Sequence, residues 1–187
     1  MTPEEFQALY PLVFGWIRQT LDAHSDEART AASLGFPRLS QYFNGSLLSS
    51  TKVVVVERVP MPPLSSLGLS QFALFESGDY NGVTYLDTFF VRRDSASAER
   101  LYFHELIHVV QWRLLGPEKF LALYAAGLET HGYRDSPLEV MAYNAEDSFV
   151  RSDRIFDAES LVAEQLSQML GTNYEFPSIT RIAEVGH

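Results

Sequence analysis

The sequence predicts a single α+β domain, and three observations carry that prediction. Four consecutive valines, Val53 to Val56, read as a buried strand. An Asn81-Gly82 pair between apolar runs reads as a β-hairpin turn. From Ser95 onward the apolar residues recur at helical spacing.

The elements follow in order. Thr2-Pro3-Glu4-Glu5 is a helix start, with Thr2 as cap, Pro3 in the first turn and Glu5 closing a capping box. Phe6, Leu9, Tyr10, Val13, Phe14, Ile17 and Leu21 continue it at helical spacing, and Pro11 inside the pattern predicts a kink. A short second helix is expected from Ser25 to Leu34, ended by Gly35, with an aromatic-rich loop after it. These pieces form an N-terminal helical extension over about residues 1–45 of a domain spanning 1–187. Thr51 to Val59 is expected to be a strand buried on both faces, and the extended "PMPPL" after it cannot belong to a central strand. Phe72 to Glu76 and Val83 to Arg92 are the two arms of the expected hairpin.

A long helix is expected from Ala98 to Leu115, followed by Gly116 and by Pro117, which opens a short helix to Ala126. "GLETHGYRDS" reads as a loop. Ser136-Pro137-Leu138-Glu139 starts the next helix with the same signature as the N-terminus, and a last helix fits Ala158 to Leu170.

Composition narrows the function. The 187 residues carry a formal net charge of 14 − 24 = −10, which argues against nucleic acid and anionic membrane as partners, since both need a basic footprint. The chain has no cysteine, which excludes disulfides, thiolate metal sites and thiol nucleophiles and leans towards a cytoplasmic location. "MTPEEFQALY" lacks the basic start of a signal peptide, and no apolar run has the length of a membrane span.

The chemistry is concentrated in "LYFHELIHVVQW", 101–112. Residues four apart share a helix face, so His104 and His108 can aim two imidazole nitrogens at one metal ion. Glu105, about 100° further around the helix, is off the metal but near a bound water. Two ligands, a base and an open coordination position make a metallohydrolase arrangement. The competing reading is a half-buried helix face that happens to carry two imidazoles.

A third ligand is needed. Gln111 and Leu114 stand where the longer three-histidine motif has its Gly and His, so a glutamate from a later helix is the expected solution. Glu139 is the first choice, although its place after Ser136 also suits a capping box. Glu146, seven residues on along the same face, competes with it, and His131 and Asp135 are weaker candidates. Gln111 shares the histidine face and can bond a ligand or line the cleft. Tyr143, four residues after Glu139, can orient the site or stabilise an oxyanion, as can Tyr133 and His131 from the loop.

"GVTYLDTFFVRRDSASAERLYFHELIHVVQW" with the later "PLEVMAY" resembles the zincin-like, gluzincin-type HExxH metallopeptidases of bacteria. The resemblance covers about residues 82–143. It implies a zincin-like fold: N-terminal helices, a small twisted and mainly antiparallel sheet, the active-site helix carrying HELIH, and a C-terminal helical part. It implies Zn2+ on His104, His108 and Glu139, with Glu105 as general base in peptide-bond hydrolysis. It also implies a strand, "VTYLDTFFV", that pairs with an extended peptide or protein substrate. The alternative is a catalytically silent domain of the same shape that uses its cleft to bind a partner protein or peptide.

Overall fold

The computed structural model describes residues 1–152 and 154–171; the end of the expected domain, 172–187, lies outside the described residues. Helix α1 (Pro3–Ala23) opens with the expected capping box: Glu5 N–H donates to Thr2 Oγ1 at 3.2 Å and Thr2 N–H to Glu5 Oε2 at 2.7 Å. It runs through Pro11 as one helix. The helix expected at Ser25 to Leu34 does not form. Strand β1 (Arg29–Thr30) interrupts it between two 3₁₀ turns, because its backbone pairs with the valine strand; Ala31 N–H also donates to Thr51 O at 2.9 Å. Gly35, at φ +77°, still ends the second turn. A short helix, α2 (Gly45–Ser50), capped by the Asn44 side chain, stands in the stretch expected to be loop.

Strand β2 (Lys52–Val56) contains the four valines. Beyond it, where a strand was expected at Phe72 to Glu76, the chain makes a 3₁₀ turn and then the short helix α3 (Ala73–Glu76). The hairpin lies later in the chain, between β3 (Gly82–Tyr85) and β4 (Thr88–Arg92). Its turn is Leu86-Asp87, and Leu86 takes φ +60°, as the first central residue of a two-residue hairpin must. The run expected as one strand, Val83 to Arg92, is therefore both arms.

The sheet order is β1-β2-β4-β3, and it is mixed rather than mainly antiparallel. β4 slots between β2 and β3, and its pairing with β2, the longest in the sheet, is parallel. Phe89, Phe90 and Val91 are all fully buried, so β4, more than the valine strand, is the strand covered on both faces. Phe89 packs edge-on against Tyr102 of the motif helix, and Phe90 against His24 at the end of α1.

Helix α4 (Glu99–Leu115) crosses the sheet with thirteen of its seventeen residues buried. Its Trp112 indole donates to Thr84 O on edge strand β3 at 3.1 Å, which occupies one acceptor of that edge. Behind α4, Phe103 stacks on Phe149 with ring centres 4.4 Å apart and meets Tyr42 and Phe43 edge-on or tilted. The core thus includes residues from the first 45 as well as from the C-terminal helices. Helix α5 (Pro117–His131) runs five residues past the expected end at Ala126 (131 − 126) and absorbs part of the predicted loop. Helices α6 (Pro137–Arg151) and α7 (Ala158–Leu170) match their expected starts, and Asp157 caps α7. A second, smaller apolar cluster, Leu64, Leu69 and Phe72, lies between α1 and α5. Among the described residues no helix is long and apolar enough to cross a membrane.

Gly127 sets the distance between α5 and the start of α6. A Cβ at this position would lie 2.9 Å from Ser136 Cβ and 3.1 Å from Pro137 Cδ, neither of which can swing away. Alanine favours a helix over glycine by about 1 kcal/mol, but overpacking costs about 1–3 kcal/mol. Gly127→Ala is therefore expected to destabilise the protein, seen as a lower urea midpoint at unchanged slope.

Candidate metal centre

Two turns of α4, from His104 to Gln111, and the first turn of α6 build the site. His104, Glu105 and His108 are 4%, 3% and 5% exposed, and Glu139 is 2% exposed. His104 Nε2 and His108 Nε2 face each other at 3.2 Å. Glu139 reaches both, with Oε2 3.4 Å from His104 Nε2 and Oε1 3.3 Å from His108 Nε2. These three side chains form a buried cluster that could hold a metal ion, the one such group among the described residues.

The far nitrogens fix the tautomers. Gln111 Nε2 donates to Leu138 O at 3.0 Å, so its Oε1 is left to accept from His108 Nδ1 at 2.8 Å. Glu146 Oε2 lies 3.1 Å from His104 Nδ1 and, as a carboxylate, can only accept. With protons on both Nδ1 atoms, both Nε2 atoms turn lone pairs toward each other and toward a carboxylate. Glu139 Oε2 is buried with no hydrogen-bond partner. Two imidazole nitrogens and an unsatisfied carboxylate oxygen converge on one point out of water, where a cation could be held.

The electrostatics agree. Burial would push the His104 imidazole down, but the Glu139 and Glu146 carboxylates at 3.4 and 3.1 Å and the nearby Glu105 charge outweigh it and raise it to about 10. Burial would raise Glu139, but His108 and His104 hold it below the ordinary carboxylate range. The carboxylates around His104 favour a positive charge on its ring, and the imidazoles in turn favour the ionised form of Glu139. Burial pushes Glu105 up, against the pull of His104, His108 and the Thr84 hydroxyl. That direction suits a carboxylate that must accept and return a proton.

Glu105 is held from the sheet side. Thr84 Oγ1 donates to Glu105 Oε2 at 2.6 Å. Gly82, two residues earlier on the same strand, passes so close that a Cβ there would lie 2.8 Å from Glu105 Cδ and closer still to Oε1. Glu139 has its own clamp, since Tyr124 of α5 donates to Oε1 at 2.7 Å.

The expected residues thus separate by position. Glu139 does not close a capping box: Ser136 makes no side-chain cap bond, and the carboxylate turns inward to the histidines. Glu146 stands behind His104 on the Nδ1 side, where Arg100 approaches its other oxygen at 3.5 Å. His131 and Asp135 are exposed and outside the cluster. The Tyr143 ring packs on His104 with centres 4.6 Å apart, under the Arg134 guanidinium. Burial and the nearby Glu139 push the ionisation of the neighbouring Tyr133 up. Tyr133, unlike Tyr143, lines the cavity that reaches Glu105, His108 and Glu139. Tyr124 and Gly82 were not anticipated. An aromatic in a helical stripe carries no sign of a carboxylate partner, and the glycine was read as part of a turn.

The partners behind the ligands are expected to matter nearly as much as the ligands. Glu146→Gln and Gln111→Leu should each weaken metal binding about 10–100-fold, measured by competition with a chelator, while the fold survives. Gly82→Ala should keep the metal and displace Glu105. Comparison with family models, with curated proteins and with solved structures finds no match for this chain.

Proposed function

We propose that this chain is a zinc-dependent metallopeptidase that hydrolyses peptide bonds at the His104–His108–Glu139 cluster. The reading is carried by the two Nε2 lone pairs and the unpartnered Glu139 oxygen converging in a buried site. Zinc is favoured by donor type and by spacing. Two imidazoles and a carboxylate are a common catalytic zinc set. Bonds of about 2.0–2.1 Å at tetrahedral angles put neighbouring donors roughly 3.3 Å apart, and the separations here are 3.2, 3.3 and 3.4 Å. Three protein ligands leave a fourth position open.

When bound, zinc supplies positive charge that polarises a carbonyl and acidifies water. The rest belongs to the chain. Glu105, buried and held by Thr84, takes the proton from the attacking water and returns it to the leaving amine. Tyr133, on the cavity wall, takes the role of donor to the developing oxyanion in this reading. Tyr143 supports it and braces His104. Pairing of a peptide along β3 is confined to the Gly82 end, because the Thr84 carbonyl is engaged by Trp112.

Metal analysis of protein prepared without added zinc, with a broad peptide library, tests this. The expected result is a stoichiometric metal ion and cleavage. His104→Ala should lose both. Glu105→Gln should keep the metal and lower kcat by about 10²–10⁴-fold or more. Protein that neither contains nor takes up zinc, or a Glu105→Gln variant as fast as wild type, would sink the proposal.

A further inference from the structure

His104, Glu105, His108 and Glu139 are each 5% exposed or less, so anything that reaches them must pass a wall. The cavity that ends at Glu105, His108 and Glu139 encloses about 110 Å³. Pockets that take small ligands run to about 300–1,000 Å³, so a peptide enters only if a wall moves. Most of the walls are regular elements, namely α1, β3, α4 and α5. The exception is the segment 61–78, which contributes Met61, Leu64, Leu69, Phe72 and Phe75. It consists of two 3₁₀ turns, the four-residue helix α3 and the bends between them. Among the described residues its hydrogen bonds stay inside it. Leu69 N–H donates to Leu64 O at 2.8 Å and Gly78 N–H to Phe75 O at 3.2 Å, and Ser65 N–H donates to the Glu76 carboxylate at 2.7 Å, which staples the segment to itself. The ties to the body lie just outside, at the two ends. Tyr85 of β3 donates to Pro60 O at 2.8 Å, while Arg92 of β4 donates its guanidinium to Asp79 and its N–H to Asn81 O, both at 2.8 Å. Between those anchors only apolar contact holds the segment down. Leu64, Leu69 and Phe72 form a cluster of their own against Leu9, Ala125 and Leu128, separate from the main core. Phe75 meets Tyr133 and Tyr124, the residue that holds Glu139, each at 5.9 Å between ring centres.

We propose that residues 61–78 form a lid that swings as one unit about its two ends, and that its opening is the route by which zinc and a peptide reach the centre. The inference rests on the proposed zinc peptidase site and adds to it how that site is reached. Long connections without regular structure of their own are uncommon in compact domains, and active-site lids are one of their uses. A segment with no hydrogen bond to its surroundings opens by parting apolar surfaces alone, at a small fraction of the cost of global unfolding. Because Glu76 staples it to itself, it moves without unravelling. Pro60, Pro62 and Pro63 stiffen the entry to the segment, so the backbone rotation concentrates at its exit, where Gly78 absorbs it most freely.

The test uses the full chain and zinc alone. Hydrogen exchange comes first and needs no metal: amides of 61–78 are expected to exchange at least about tenfold faster than those of β4 and α4. Zinc uptake by the metal-free chain and zinc release to a chelator are then timed for wild type and for Phe75→Ala. A gate acts on both rates through one opening equilibrium. The variant should therefore raise uptake and release by a common factor of about tenfold, the scale of the aromatic contacts removed, and leave the Kd for zinc unchanged. Glu76→Ala, which cuts the staple without touching a ring, should move both rates in the same direction, and serves where Phe75→Ala does not fold. Faster release with a weakened Kd and unchanged uptake shows Phe75 acting through Tyr124 on Glu139, and overturns the lid. Exchange at 61–78 as slow as in β4, or rates that both variants leave unmoved, overturns it as well. A chain that takes up no zinc overturns the zinc centre, and hydrogen exchange then decides the lid by itself. A chain that meets both expectations yet cleaves no peptide overturns the peptidase reading and spares the lid.

Discussion

Two imidazoles buried nose to nose are the constraint around which the rest of the structure is arranged. Nε2 atoms 3.2 Å apart with their lone pairs facing are repulsive unless something positive lies between them. Each nearby residue that is otherwise hard to explain serves that geometry. Gln111 is wholly buried because its amide must relay a main-chain carbonyl to His108. Glu146 is kept from full solvation because it must hold His104 by the other nitrogen. Tyr124 fixes one oxygen of Glu139 and leaves the second free. Gly127 lets α5 bring Tyr124 against the first turn of α6, where Glu139 begins.

Such a site is costly to fold. Glu105, Glu139 and Glu146 are gathered about two imidazoles with little water to share the charge, and buried ion pairs rarely repay their desolvation. The stabilising side lies in the layer behind. Phe103, one residue before His104, stacks on Phe149, and both meet Tyr42 from the N-terminal part. Phe89 and Phe90 fill the two faces of β4 below. The polar face of α4 is tolerated because its other faces are aromatic and aliphatic and closely packed.

What the sequence made legible was local. The His104–His108 spacing, the Thr2 capping box, the Gly116-Pro117 break and the four valines are each settled within a turn or a strand. What it concealed was tertiary. Gly82 followed an asparagine and so resembled a turn, but it is glycine because Glu105 comes too close for a side chain. The true turn, at Leu86-Asp87, contains no glycine to announce it. Arg29 and Thr30 lie in a stretch of helical appearance and were drawn into a strand by β2, which no local pattern encodes. β4 enters between β2 and β3, which makes the sheet mixed, and a hairpin alone cannot reveal where a third strand docks. Glu139 and Glu146 share one helix face, and only the approach of α6 to α4 shows that one meets the Nε2 side and the other the Nδ1 side.

Helix α4 is buried almost all round, so the segment that carries the chemistry is also the one on which sheet, α5, α6 and α7 all lean. A helix of this kind has no outer face on which to accommodate error. An ion that binds only the assembled site adds its binding free energy to the stability of the folded state. In this molecule that energy would enter through the helix the other elements pack on, so occupancy of the site and survival of the native fold would be governed by one coupled equilibrium.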